Sequence, residues 1–260
     1  MRSFEVHTLD GVRLDAVLHP AGAGTRRGTV VQAHGITVDK DEGGMFVRLG
    51  ERLAAEGFTA IRFSFRGHGE SGGATEGVTI AGEMLDIQAV IAHAIEEAPV
   101  PITLVAASFG AVPVALMLPA LEKQISSLVL WNPVLDLDHT FVHPQLPWGT
   151  ENFGPDQQLQ LHEQGRLLID GEFPIGQVLW REFTRYEPLK EFNRSHTPAL
   201  VIHGDQDSYV SYEIARSAAE ARPNTEFRTI EGSDHGFDSR EREDEAIGHT
   251  LKWLTSGGAA

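Results

Sequence analysis

A chain of 260 residues, 41% hydrophobic and 22% charged, has the length and composition of one large soluble domain that buries a continuous core. Its formal net charge of -16 and pI near 5.1 argue against nucleic acid or an anionic membrane surface as partner, since both would repel it. The absence of cysteine excludes disulfides, thiolate nucleophiles and cysteine metal sites.

Met1 to His7 contains no apolar run of signal-peptide length, and no later stretch approaches the roughly 20 apolar residues of a membrane span, so a cytoplasmic protein is expected. The chain opens as a predicted hairpin: Phe4, Val6 and Thr8 alternate with polar residues, Asp10-Gly11 turns, and Val12, Leu14, Ala16 and Leu18 alternate again. A loop over 20–28 leads into a short apolar strand, Thr29 to Ala33. A helix follows over Met45 to Glu56, stopped by Gly57, then a strand over Thr59 to Phe65. Apolar residues at helical spacing from Met84 to Ile95 predict a helix over 80–97. Strand Ile102 to Ala106 runs into a helix reaching Leu121, and strand Ser127 to Asn132 comes next. Regular alternation then stops between Val134 and Pro188, where prolines break the pattern and aromatics are scattered. It resumes with strand 199–203, helix 212–221, strand 226–230 and a last helix over 242–253; the tail Ser256 to Ala260 is expected to fray. Strands alternating with helices of this length predict crossover units and a mainly parallel sheet, which the antiparallel start makes mixed.

The residue types that carry chemistry gather at predicted strand ends. Val105-Ala106-Ala107-Ser108-Phe109-Gly110-Ala111 takes a strand through a small-x-Ser-x-Gly turn directly into a helix. Such a turn needs small neighbours, and it lifts the serine oxygen to a helix N-terminus where backbone N–H groups can bind an oxyanion. His34-Gly35-Ile36-Thr37, the run His203 to Val210 and Gly232-Ser233-Asp234-His235-Gly236-Phe237 each follow a predicted strand as well. Gly67-His68-Gly69-Glu70-Ser71-Gly72 matches a dinucleotide pattern, but no helix opens on its last glycine and Asp86 falls inside a helix, so no nicotinamide or flavin is implied. His34, His68, His203 and His235 lack the close spacing of a zinc site, and no metal is expected.

Taken together, these motifs resemble the α/β-hydrolase superfamily. Its nucleophile elbow is usually Gly-x-Ser-x-Gly; here Ala106 replaces the first glycine, which removes the freedom to adopt positive φ. The resemblance implies an α/β fold: a mostly parallel mixed sheet with helices on both faces, a core of residues 1–133 and 189–260, and a lid over 134–188. It implies Ser108 as nucleophile, Asp207 as the orienting acid and His235 as base, in the chain order of this fold. Asp205 competes for the acid's place and reads better as a turn residue. The oxyanion donors would be the backbone N–H groups of Ile36 and Phe109. His34 and the Arg66 to Ser71 turn are expected to be structural.

The size, the His-Gly-Ile-Thr loop and the broken insertion resemble small carboxylesterases, including the cinnamoyl and feruloyl ester hydrolases. That resemblance implies a small-molecule ester substrate, an acyl-enzyme and no cofactor, with no nucleic-acid or membrane partner; a homodimer stays open. Trp148, Trp180 and Phe183 in the insertion are candidate substrate-binding residues, and the competing reading has the aromatics simply hold the lid together. The fold also serves thioesterases and serine aminopeptidases, for which Glu151, Asp156 or Glu172 could receive a free amine. A slow-turnover ligand-binding protein is the reading from outside enzymology.

Overall fold

The computed structural model describes residues 1–24, 26–98 and 100–257; the last three residues of the tail expected to fray lie outside them. Eight strands form one mixed sheet: β1 (Arg2–His7), β2 (Arg13–His19), β3 (Gly28–Ala33), β4 (Phe58–Phe63), β5 (Ile102–Ala107), β6 (Ser127–Trp131), β9 (Ala199–Gly204) and β10 (Thr225–Ile230). Their order is β1-β2-β4-β3-β5-β6-β9-β10, with the first two pairings antiparallel and the rest parallel. Every residue of β3, β4, β5, β6 and β9 is buried, as expected of parallel strands covered on both faces.

Two helical layers provide that cover. Helices α1 (Met45–Ala55) and α9 (Arg240–Thr255) lay Phe46, Leu49, Leu53, Ile247 and Leu251 on one face. On the other face, α2 (Ile80–Glu97), α3 (Ala111–Leu121), α7 (Pro188–Arg194) and α8 (Tyr212–Glu220) pack Ile87, Ile91, Val114, Leu118, Phe192 and Ala218. No helix among the described residues is long and apolar enough to cross a membrane.

Between β6 and α7 the chain forms a π-helical turn (Asp138–Val142), α4 (Pro147–Phe153), α5 (Pro155–Gln164), a hairpin of β7 (Arg166–Ile169) and β8 (Phe173–Gly176), and α6 (Gln177–Glu182). The prolines that interrupt the sequence pattern have a simple job here. Pro147, Pro155 and Pro188 each stand at the start of a short helix, where the missing N–H has no partner to lose. The hairpin was not expected from the sequence, although its signal is present: Asp170-Gly171, both at positive φ, turn two short apolar runs, and Glu172 N–H closes the turn on Ile169 O at 3.0 Å.

The sheet reverses its winding between β3 and β5, since the chain passes from β3 to β4 on one side and later to β5 on the other. The crevice at such a switch point, beyond the carboxyl ends of the strands, is where open α/β sheets hold their ligands. Gly110 enforces the close approach there. A side chain at this position would overlap the carbonyl oxygens of Ala33 and His34 at the end of β3. Gly110→Ala is therefore expected to cost about 1–3 kcal/mol through overpacking. Thermal unfolding checks this, with Tm falling roughly 2–4 °C per kcal/mol in a chain of this size; an unchanged Tm would mean that the two backbones separate freely.

Candidate active site

Four loops at the carboxyl ends of the parallel strands converge on one crevice: after β3 (Gly35 to Thr37), after β5 (Ser108), after β9 (Asp207) and after β10 (His235). Ser108 takes φ +49, in the left-handed region that costs a non-glycine residue on the order of 1–2 kcal/mol. The strain falls on the serine itself. Ala106, fully buried within β5, is not among the residues at positive φ, so its departure from glycine has no backbone cost.

A continuous hydrogen-bond chain links the three predicted residues. Ser108 Oγ lies 3.0 Å from His235 Nε2, and His235 Nδ1 lies 2.8 Å from Asp207 Oδ2. Asp207 is buried yet well supplied with donors: the N–H groups of Tyr209 (2.9 Å) and Val210 (2.8 Å) reach Oδ1, and His203 Nε2 donates to Oδ2 at 3.0 Å. Burial alone would raise its pKa. The His235 charge and the hydrogen bonds of His203 and His235 outweigh that, and hold it well below the usual carboxylate range. For His235 the balance is reversed: burial pulls its pKa down, but Asp207 by charge and hydrogen bond, with help from Glu42 and Asp234, leaves it above the usual imidazole value. Asp205, the competing acid, instead accepts the Gly232 N–H at 2.6 Å, a loop-bracing contact.

The orientation of the two expected oxyanion donors follows from peptide planarity, since the C=O of one residue and the N–H of the next point in opposite directions. His34 Nε2 accepts the Phe65 N–H at 2.9 Å, which leaves its Nδ1–H to donate to Gly35 O at 2.7 Å. That bond turns the Ile36 N–H the other way. Likewise Val134 N–H donates to Ser108 O at 3.0 Å and turns the Phe109 N–H away from it. Burial, then the neighbouring His68, hold the His34 pKa well below its ordinary value, so the ring stays neutral in this role. His68 Nε2 sits 2.7 Å from Ile36 O, which brings the Arg66 to Ser71 turn against the same loop.

A cavity of about 220 Å³ opens over these groups, lined by Gly35, Ile36, Glu42, Ser108, Phe109, Phe141, Trp148, Tyr209 and His235 among others. Of the candidate substrate-binding aromatics, Trp148 lines it. Phe183 does not: it is buried in an aromatic cluster, stacked on Phe141 with centroids 4.4 Å apart. Trp180 lies over a separate groove beside Leu161 and Arg181. A larger concavity of about 570 Å³ over Leu135, Tyr186 and Lys190 has no histidine in its lining, whereas the smaller one brings Ser108 and His235 together.

Three residues here escaped the sequence reading. His203 shares Asp207 with His235, Glu42 reaches into the cavity, and Tyr209 stacks its ring on His235 (4.7 Å, 7°) while Trp148 stacks on Tyr209 (4.8 Å, 11°). The insertion is tied to the core around this site. Trp148 N–H reaches Ser208 O at 3.3 Å, Phe173 stacks on His68 at 5.1 Å, and the Glu182 carboxylate accepts the Ile80 N–H at 2.6 Å at the start of α2.

A mixed, mostly parallel sheet with its reactive groups at the strand ends of the switch point defines an α/β-hydrolase. Residues 24–170 match the model of the Hydrolase_4 family, described as serine aminopeptidase, S33, and the chain belongs to that family. Among solved structures it is similar to Est1E from Butyrivibrio proteoclasticus with ferulic acid bound (TM-score 0.79, 22% identity, covering 96% of this chain and 99% of that one). The Pyrococcus furiosus esterase Pf2001 is also similar (TM-score 0.75, 22% identity, 98% of this chain and 90% of that one). So is mouse alpha/beta hydrolase domain-containing protein 10 (TM-score 0.76, 16% identity, 98% and 99%). A shorter likeness, 41% identity over 59 residues, joins 22% of this chain to the non-heme chloroperoxidase CPO-A1 of Kitasatospora aureofaciens and spans a fifth (20%) of that protein's length.

Proposed function

We propose that this hydrolase cleaves carboxylic esters of small acyl groups through an acyl-enzyme, with Ser108 as nucleophile, His235 as general base and Asp207 as the acid that orients it. The observation that carries this reading is the unbroken chain from Ser108 Oγ through His235 to Asp207 at the floor of a cavity. His235 Nε2 takes the proton as Oγ attacks the carbonyl carbon, and Asp207 keeps the other ring proton on Nδ1 and stabilises the imidazolium. The N–H groups of Ile36 and Phe109 hold the oxyanion, each worth on the order of 3 kcal/mol. The imidazolium then protonates the leaving alcohol, and water activated by the same histidine releases the acid. Residues 134–188 act as the lid, with Trp148 as its contribution to the pocket wall.

The acids of the insertion weigh toward esters rather than peptides with free amines. Glu151, Asp156 and Glu172 are exposed and line no part of the cavity. Turnover of a simple activated ester separates hydrolysis from mere ligand binding. With p-nitrophenyl esters from acetyl to decanoyl, kcat/KM is expected to peak among the shortest chains. A cavity of about 220 Å³ lies below the ~300–1,000 Å³ usual for ligand sites, and chains that do not fit lose about tenfold or more. An optimum at decanoyl would reject this pocket as the acyl site.

The pH profile follows from His235, which must be neutral to accept the proton. Its pKa is raised above the ordinary 6.5, so kcat/KM should fall on the acid side with a midpoint above pH 6.5. A midpoint below that value would remove His235 from the role of base.

A further inference from the structure

We infer that Glu42 is a specificity-determining residue of this site, whose uncommitted carboxyl oxygen receives a hydroxyl group carried one to three atoms from the scissile carbonyl. The inference rests on the ester reading above and deepens it from small esters to hydroxy-substituted ones.

Glu42 begins the 3-10 turn Glu42–Gly44, ahead of α1, at φ +46. A non-glycine residue in that region persists only where its surroundings hold it there, and such residues concentrate at functional sites. Its side chain turns back toward Ser108. Oε2 accepts the Gly35 N–H at 2.7 Å, at the head of the loop that carries the Ile36 N–H. Oε1 has no hydrogen-bond partner among the described residues. A side chain at Gly35 would begin 3.3 Å from Ser108 Cβ and 3.6 Å from Oε1, so the free oxygen and the nucleophile are neighbours across that glycine.

Glu42 is the one acidic residue among those lining the cavity, and Ile36, Val38, Phe109, Val134, Phe141 and Trp148 supply apolar wall around it. Thr37 and Tyr209 also line the cavity, but their hydroxyls can donate as well as accept. The uncommitted Glu42 oxygen selects for a ligand that brings a donor, because a ligand without one leaves that oxygen desolvated and unpaired. A neutral hydroxyl fits better than an ammonium for two reasons. Burial raises the Glu42 carboxyl to about 7, against the pull of the Gly35 hydrogen bond, so near neutrality its charge and its pull on a cation are only partial, while the ionised fraction presents Oε1 purely as an acceptor. His235 also becomes positive during acylation and would repel a second cation.

The test compares kcat/KM within matched pairs at about pH 8, where the Glu42 carboxyl, with a pKa of about 7, is mostly ionised and Oε1 can only accept, for the wild type and Glu42→Gln. Methyl lactate against methyl propionate probes the acyl side, and 2-hydroxyethyl acetate against propyl acetate probes the alcohol side. The glutamine carbonyl can still accept the Gly35 N–H, while its amide turns a donor toward the cavity in place of an acceptor. The wild type is expected to prefer the hydroxylated ester in one pair by roughly tenfold, the worth of one such hydrogen bond, and Glu42→Gln to bring that ratio to about one. Ratios near one for both wild-type pairs overturn the proposal. So does a preference that survives in Glu42→Gln, or one confined to methyl alaninate, whose ammonium replaces the lactate hydroxyl. A variant that turns over neither member of a pair assigns Glu42 to holding Gly35 alone and overturns it as well. Failure of the ester reading itself looks different: no Ser108-dependent turnover of any of the four esters.

Discussion

Replacing Ser108 with alanine is expected to lower kcat for an activated ester by roughly 10⁶-fold, the scale seen when the nucleophile is removed from an assembled triad. The loss is chemical rather than structural. The φ of +49 at this position strains alanine no more than serine, and the Ser108 carbonyl that fixes the Phe109 N–H through Val134 belongs to the backbone and stays. The variant should therefore fold with an unchanged Tm and retain the proposed oxyanion donors, which would leave a small residual rate over water. Steady-state kinetics beside thermal unfolding decide the matter. Activity within tenfold of wild type would mean that Ser108 is not the nucleophile, and that His235 activates water directly.

For Asp207→Asn we expect kcat to fall about 10⁴-fold with much less change in stability. Asparagine keeps an oxygen for the N–H groups of Tyr209 and Val210, so the loop after β9 retains its bracing. Its amide nitrogen then faces His235 Nδ1 and favours the tautomer with hydrogen on Nε2, aimed at Ser108 Oγ, which cannot take the serine proton. His203 adapts more easily: its Nδ1 has no hydrogen-bond partner among the described residues, so the ring can carry hydrogen there and accept from the asparagine through Nε2. Loss of activity and of Tm together, in proportion, would argue that Asp207 serves mainly to hold the fold.

The parallel core was legible because its strands are buried on both faces and read as unbroken apolar runs, as in Leu128 to Trp131 and Ala199 to Ile202. Ser108 and Asp207 stood out because each follows such a run, whereas His235 follows the alternating, half-exposed β10 and stood out by its glycine-rich loop and its place in the chain order. What escaped was set by approach in space rather than by spacing along the chain. Nothing in Asp41-Glu42-Gly43-Gly44 announces a side chain that turns back into the crevice, and charged residues before a helix are usually solvated. His203 stands one residue before the end of the buried strand β9, four residues before Asp207, and only the fold-back of that loop brings ring and carboxylate together. The aromatics of the insertion divided between two duties that composition cannot separate. Trp148 and Phe141 both face the cavity and both touch the aromatic cluster, which Phe153 and Phe183 complete without reaching the cavity.

The ties between insertion and core bear on the entropy of binding. The Glu182 contact at the start of α2, the Phe173 ring on His68, and the stack of Trp148, Tyr209 and His235 are all made within the chain itself. Side chains ordered during folding need not be ordered again when substrate arrives, which spares about 0.5–1.5 kcal/mol for each. A wall preorganised in this way gives up adaptability in return. It discriminates by refusing what does not fit, and a substrate one size too large meets a steric barrier instead of a yielding surface.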